Sequence, residues 1–259
     1  LTGYDAVFRA PGMYFHHPAL EKARQEGAVI TSEMELFFRL CPCKTYAVTG
    51  SDGKTTTTTL IAEMLKASGK KVYKGGNIGR ALLPVVEEVS SDDAAVVELS
   101  SFQLISMGES PDVAVVTNLS PNHLDIHKDM QEYIDAKKNI FLHQNAFSRT
   151  VLNAGNEITA SFAPEVRGDC WMFHRGAKVD RGVWCDEEQI YVNGEALMPL
   201  SQIKIPGWHN VENYMAAIAA VWGNVSADVI RQVAASFNGV EHRAEFVREF
   251  KGVRYYNDS

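Results

Sequence analysis

The sequence predicts an α/β fold, doubly wound around a mainly parallel sheet, with a small β-hairpin region and a partial α/β unit ahead of it. Three observations carry this. From Thr45 onward, short apolar runs alternate with helix-length segments, the order expected of strands joined by helical crossovers. One run, Tyr46-Ala47-Val48-Thr49, passes directly into a glycine turn and a helix. Farther on, Asn193-Gly194 separates two apolar runs, a strong hairpin signal.

Residues 1–44 read as strand, helix, strand, helix. Ala6-Val7-Phe8 is a short apolar run closed by Pro11-Gly12, Pro18 to Gly27 is a helix with a glycine stop, Ala28-Val29-Ile30 is extended, and Glu33 to Leu40 is helical. The strand at Tyr46–Thr49 leads to a helix from Lys54 to Ala67, although Thr55 to Thr59 is a β-branched run of poor helix propensity. Tertiary context must override that preference. Further strands are expected at Lys71-Val72-Tyr73, Ala94 to Glu98, Val113 to Thr117 and Thr150-Val151-Leu152, with a helix near Gln131 to Asn145. The hairpin pairs Ile190-Tyr191-Val192 with Ala196-Leu197-Met198, and helices follow at Asn210 to Trp222 and Ala227 to Phe237.

Composition narrows the function. Of 259 residues, 46% are hydrophobic and 22% charged, with a net charge of −7; this is an ordinary globular balance. The acidic excess argues against a general binder of nucleic acid or of a membrane surface, since both require a basic field. No apolar run is long enough to cross a bilayer and no signal peptide is visible. Cys41, Cys43, Cys170 and Cys185 lack zinc or redox spacing, so thiols in a reducing cytoplasm are expected. Both ends read as cut: the chain starts at Leu1 rather than Met, and it stops just after the strand-like Val253-Arg254-Tyr255-Tyr256.

The strongest motif is Gly50-Ser51-Asp52-Gly53-Lys54-Thr55-Thr56 between strand and helix. Glycines let backbone amides turn inward as an anion nest, and the helix adds its positive end. Lys54 can reach β- and γ-phosphates, and the Thr55 hydroxyl can bind Mg²⁺. The usual eight-residue spacing is not met, because Val48 holds the first glycine position. Asp52 is unexpected beside phosphates unless it points away. Glu98 ends an apolar strand, so its carboxylate should emerge at the sheet's carboxyl edge, where ligands bind in such folds.

Further strings follow in order: Gly76-Asn77-Ile78-Gly79, Glu98-Leu99-Ser100-Ser101-Phe102-Gln103-Leu104, Asn118-Leu119-Ser120-Pro121-Asn122-His123-Leu124-Asp125, Lys137, Gly207-Trp208-His209-Asn210-Val211-Glu212-Asn213, His242-Arg243 and Asn257-Asp258-Ser259. With the phosphate loop, this set resembles the Mur ligases, which couple an amino acid to a carboxylate through an acyl phosphate. The Gly-Asn-Ile-Gly and Glu-Leu-Ser-Ser-Phe-Gln-Leu strings look like the branch that adds D-glutamate to UDP-N-acetylmuramoyl-L-alanine. The resemblance spans essentially the whole chain.

That resemblance implies a P-loop-type central domain using ATP and Mg²⁺. It divides the chain into the tail of a uridine-diphosphate-binding domain (1–44), the ATP-binding domain (45–238) and the start of a third domain (239–259). Glu98 and Thr55 would hold one metal, with His123 at a second beside the substrate carboxylate. Lys137 would carry a carbamate, although by composition Lys137 and Lys138 are simply a solvated basic pair. Asn77 would lie near the muramoyl substrate, with Ser100 and Gln103 shaping that pocket or merely capping the next helix. Asn210 and Asn213 share a helix face and would approach the nucleotide or only cap. Arg243 would contact ATP phosphates and Asp258 the ribose. Pro11-Gly12 looks like part of the uridine-diphosphate site, with Ala10 where a serine is usual. The expected protein is a cytoplasmic monomer, and its 259 residues alone are expected to show little or no ligase turnover. Rival readings are a sibling Mur ligase, a folylpolyglutamate synthase-like ligase, or a non-catalytic nucleotide-binding module.

Overall fold

A computed structural model describes residues 1–121, 126–240 and 245–257. The chain opens with β1 (Ala6–Phe8), α1 (Pro18–Gln25) and β2 (Val29–Thr31). Strands β1 and β2 pair in parallel, with Val7 opposite Ile30. Leu20 and Ala23 of α1 cover one face of this small sheet. Helix α2 (Glu33–Leu40) starts at Ser32, whose hydroxyl accepts from the Glu35 N–H, a regular N-cap. Its Met34 and Phe37 pack into a core of the main sheet, not into the β1–α1–β2 cluster.

The main body runs β3 (Lys44–Thr49), α3 (Lys54–Ala67), β4 (Val72–Gly76), β5 (Ala94–Glu98), α4 (Ser101–Leu104), β6 (Val113–Val116), α5 (Met130–Leu142) and β7 (Arg149–Asn153). It continues with α6 (Glu157–Ala160), β8 (Asp169–Arg175), β9 (Gly182–Cys185), β10 (Gln189–Val192), β11 (Glu195–Pro199), α7 (Trp208–Val221) and α8 (Ala227–Ser236). A two-stranded ribbon of β12 (Glu245–Phe250) and β13 (Val253–Asn257) ends the described chain.

Strands β3 to β11 form one sheet in the order β11-β10-β9-β8-β7-β6-β3-β5-β4. Its pairs are parallel from β4 through β9 and antiparallel at β9-β10 and β10-β11. The expected hairpin is therefore not a separate region but the antiparallel edge of the central sheet. Asn193 and Gly194 both take positive φ, 49° and 90°, as the tight primed turn requires.

Side-chain alternation sends each strand's residues to two cores. Tyr46 and Val48 join α3, α7 and α8 on one face; Ala47 joins α2 and α5 on the other. This resolves the threonine run in α3. Thr57 and Thr58 are wholly buried, and helix-on-sheet packing outweighs their weak propensity. The four cysteines are free thiols. Among the described residues, no helix is long and apolar enough to cross a membrane.

Candidate active site

Strand β3 ends where the strand order reverses: α3 leads to β4 on one side, while β6 lies on the other. A crevice opens at such a point beyond the carboxyl ends of the strands. Here it is a cleft of about 340 Å³ whose wall includes residues 50–56, Asn77, Glu98, Ser100 to Phe102, Tyr133 and Lys137.

The loop is shaped before any ligand arrives. The Ser51 N–H donates to the Asn118 carbonyl at 2.8 Å, and the Asp52 N–H to Asn118 Oδ1 at 2.9 Å. Thr117 Oγ1 donates to the Asp52 carbonyl at 2.6 Å. Gly53 has φ 78°, and a Cβ there would lie 2.2 Å from Asn213 Oδ1; only glycine fits. The first intrahelical bond of α3 runs from the Thr57 N–H to the Gly53 carbonyl. The N–H groups of residues 53–56 thus precede the ladder at the helix's positive end, which suits an anion.

Lys54 Nζ curls back to donate to the carbonyls of Gly50 and Ser51 at 3.0 and 2.8 Å. Thr55 Oγ1 donates to Glu98 Oε2 at 2.7 Å, and Asn77 Nδ2 to Glu98 Oε1 at 2.9 Å. Glu98 is 1% exposed. The sequence-expected group of Lys54, Thr55, Glu98 and Asn77 is therefore brought together.

Lys137 is no solvated surface lysine. It is 2% exposed, and its Nζ donates to Thr49 Oγ1 at 3.1 Å and to the Gly50 carbonyl at 2.9 Å. Burial, followed by the charge of Lys54, lowers its pKa to about 7, with Glu98 pulling the other way. The neutral amine is therefore far more accessible near neutral pH than in an exposed lysine.

Other expected residues fall elsewhere. Asp52 is exposed and borders both this cleft and a smaller hollow beside it. Ser100 lines the cleft, but its hydroxyl and N–H both donate to Gln103 Oε1 at 3.0 Å. Gln103 is buried in this reciprocal cap of α4, so capping describes it better than pocket lining. Asn210 and Asn213 lie behind the loop: Thr57 Oγ1 donates to Asn213 Oδ1 at 3.3 Å, and Asn213 Nδ2 to Asn210 Oδ1 at 3.3 Å. Asn213 also borders a smaller hollow with Asp52, Asn118, His209 and Glu212. Pro11 and Gly12 line a separate apolar pocket with Arg9, Met13 and Ile105; Phe102 belongs to both it and the cleft. His123, Arg243 and Asp258 lie outside the described residues.

The sequence reading missed Asn118 as the loop's clasp and Tyr133, whose hydroxyl lies 3.0 Å from Ser51 Oγ. Tyr133 stands four positions before Lys137 on α5, the same helix face. That spacing could have drawn attention to it.

The fold and cleft define an α/β domain with a phosphate-loop-like turn at the switch point of its sheet, and comparison with known proteins sharpens this. The Mur ligase middle domain matches residues 48–221. The UDP-N-acetylmuramoylalanine–D-glutamate ligase of Acetivibrio thermocellus is 55% identical across 100% of this chain and 56% of its own length. That of Clostridium kluyveri is 52% identical, across 100% of this chain and 57% of its own length. The chain thus spans little more than half the length of these curated relatives. Among solved structures, a UDP-N-acetylmuramoyl-L-alanyl-D-glutamate–2,6-diaminopimelate ligase superposes with TM-score 0.72 at 17% identity, covering 96% of this chain and 65% of that one. A UDP-N-acetylmuramate:L-alanyl-γ-D-glutamyl-meso-diaminopimelate ligase from Neisseria meningitides gives 0.68 at 17% identity, covering 92% and 80%. The chain belongs to the Mur ligase family.

Proposed function

We propose that this chain is the nucleotide-binding portion of a cytoplasmic, ATP-dependent ligase that adds D-glutamate to UDP-N-acetylmuramoyl-L-alanine in peptidoglycan precursor synthesis. The observation that carries the reading is the junction of Lys54, Thr55 and buried Glu98 at the mouth of a preshaped anion loop. The relatives' names, at more than half identity over the whole chain, supply the substrates.

In the reaction, a carboxylate oxygen of the acyl substrate attacks the γ-phosphorus of ATP and ADP leaves. The amine of D-glutamate then attacks the acyl carbon, loses a proton, and phosphate departs as the amide forms. The N–H groups of residues 53–56 would fix the phosphates in place, and Lys54 would leave its carbonyl partners to neutralise them. Monomer is the expected state, with residues 1–44 and 239–259 belonging to the flanking domains.

The donor set suits magnesium: a buried carboxylate and a hydroxyl are hard oxygen ligands, and a phosphate would supply more. Among the described residues, no cluster of three or more His, Cys, Asp or Glu is placed to hold a metal. When bound, Mg²⁺ would offset phosphate charge. Glu98 and Thr55 would hold it, with His123 serving a second ion. Lys137, whose pKa is lowered by burial, is suited to capture CO₂ as a carbamate with release of a proton, which would make it an anionic ligand as well. Ser100 and Asn77 would border the acyl substrate; Arg243, Asp258, Asn210 and Asn213 would surround the nucleotide; Pro11 and Gly12 would meet the uridine diphosphate.

The test is amide formation by the complete ligase carrying this sequence, offered D-glutamate against L-lysine, diaminopimelate and a folate. Selective use of D-glutamate is expected, and Lys54→Ala should abolish it; preference for another substrate would overturn the reading. The 259 residues alone are expected to bind MgATP with little or no amide product per enzyme.

A further inference from the structure

His127 has no part in the proposed chemistry, yet it is 4% exposed and bonded at both ring nitrogens. Its Nε2 lies 2.8 Å from Ser101 Oγ and its Nδ1 lies 3.2 Å from Glu132 Oε2. The imidazole is stacked on Phe102, with centroids 5.2 Å apart and planes 3° from parallel, and Tyr133 meets it edge-on at 5.4 Å. Beyond Glu132, its other oxygen lies 3.4 Å from Nε2 of His16 in the N-terminal unit. The result is a chain His16–Glu132–His127–Ser101 from the N-terminal segment to the cleft wall, which Ser101 lines.

The donor directions follow from chemistry. Partial burial tends to raise the Glu132 pKa, but the Lys128 N–H and the hydrogen bond from His127 hold it below the usual value. A carboxylate only accepts, so His127 Nδ1 carries the proton facing it. In the neutral ring Nε2 must then accept from the Ser101 hydroxyl. Ser101 is only 2% exposed where it borders the cleft, and whatever its Oγ offers there is a lone pair and not a proton. Such an atom suits an N–H or O–H donor and is poorly matched to a phosphate oxygen.

We propose that His127 is a positioning residue: braced by Glu132 and His16, it takes the Ser101 hydroxyl proton and presents Ser101 Oγ as an acceptor for an N–H or O–H group of the acyl substrate. The proposal rests on the function argued above, because it needs an acyl substrate in the same cleft as the nucleotide. It separates Ser101 from the phosphate-holding groups, although all line one wall.

Two amide variants in the complete ligase test it. A glutamine side chain can place its amide near the position of Nε2, and an asparagine near Nδ1. His127→Asn should raise KM for the acyl substrate about five- to tenfold, the worth of one lost neutral hydrogen bond, while KM for ATP stays within about twofold. His127→Gln should recover most of that loss, and Ser101→Ala should match His127→Asn without adding to it. Both His127 variants lose the stacked ring, so a merely structural role would affect them alike. Equal KM values for the two variants, or a parallel rise in KM for ATP, would overturn the proposal. Should either variant fail to fold, long-range ¹H–¹⁵N NMR of the unmutated chain decides the matter. A proton on Nδ1 with none on Nε2 is expected, and a proton on Nε2, alone or with one on Nδ1, refutes the assignment. Failure of the wild-type ligase to use D-glutamate would instead defeat the function, and the ring tautomer can be read without turnover.

Discussion

At the scale of single residues, two buried ionisable groups set the behaviour of the cleft. Lys137 ionises near pH 7 when folded but near 10.5 as an ordinary lysine. Between those values the unfolded chain holds a proton that the folded chain lacks, so this group makes stability rise with pH across the window. Urea unfolding in CO₂-free buffer should show that slope, amounting to roughly a few kcal/mol in total, and Lys137→Met should flatten it. Supplying ¹³CO₂ near pH 8 should add one carbamate resonance that Lys137→Met removes. Glu98 is the second group. Replacing its carboxylate by an amide in Glu98→Gln retains the shape and leaves Thr55 and Asn77 with a partner. Melting temperature should hold, because the isosteric amide fills the same space and still meets both partners. Amide formation by the complete ligase should fall by roughly a hundredfold or more, with a higher Mg²⁺ requirement. A variant with normal turnover would remove Glu98 from the chemistry.

At the scale of elements, the loop and its helix form one unit with α7. Gly53→Ala forces a side chain into φ 78° and against Asn213 Oδ1, which should cost about 1–3 kcal/mol and weaken MgATP binding. Adding Asn213→Ala removes the collision but not the dihedral strain, so calorimetry on the pair should show partial recovery, a coupling absent if the two sites were independent. Much of this unit was legible in the sequence. The strand, glycine turn and lysine announce a phosphate loop, and Glu98 ends the neighbouring strand at the same sheet edge. The reading of Lys137 as surface-exposed from composition failed because burial is a property of the whole α5 face, which the adjacent Lys138 disguises. Asn118 and Tyr133 were illegible as loop partners for another reason. They reach Asp52 and Ser51 across 66 and 82 residues, and no local pattern encodes such contacts. Gln103 reads either as a pocket residue or as a cap, because the two look alike in a string of letters, and the structure shows the cap.

At the scale of the molecule, packing ties α2 to the central body, on the far side of the division after residue 44 that the family resemblance implies. Met34 and Phe37 of α2 belong to the core beneath β3, β5 and β6, whereas β1, α1 and β2 enclose a small cluster of their own. Removing residues 1–31 should therefore leave a cooperative melt of the remaining sheet. Cutting through residue 43 strips Phe37 and Met34 from that core and should lower stability by about 2 kcal/mol per side chain. Circular dichroism on the two truncations distinguishes them. A common melting point would mean that α2 contributes nothing. The Asn118 clasp has a consequence of its own. Because Ser51 and Asp52 already answer to Asn118, the nest is largely moulded by the chain itself. Little chain entropy is left to lose on binding, so capture should be quick and weakly dependent on temperature; Asn118→Ala keeps the carbonyl that holds Ser51 but drops the side-chain hold on Asp52, and should slow the encounter by leaving that half of the receptacle to be ordered.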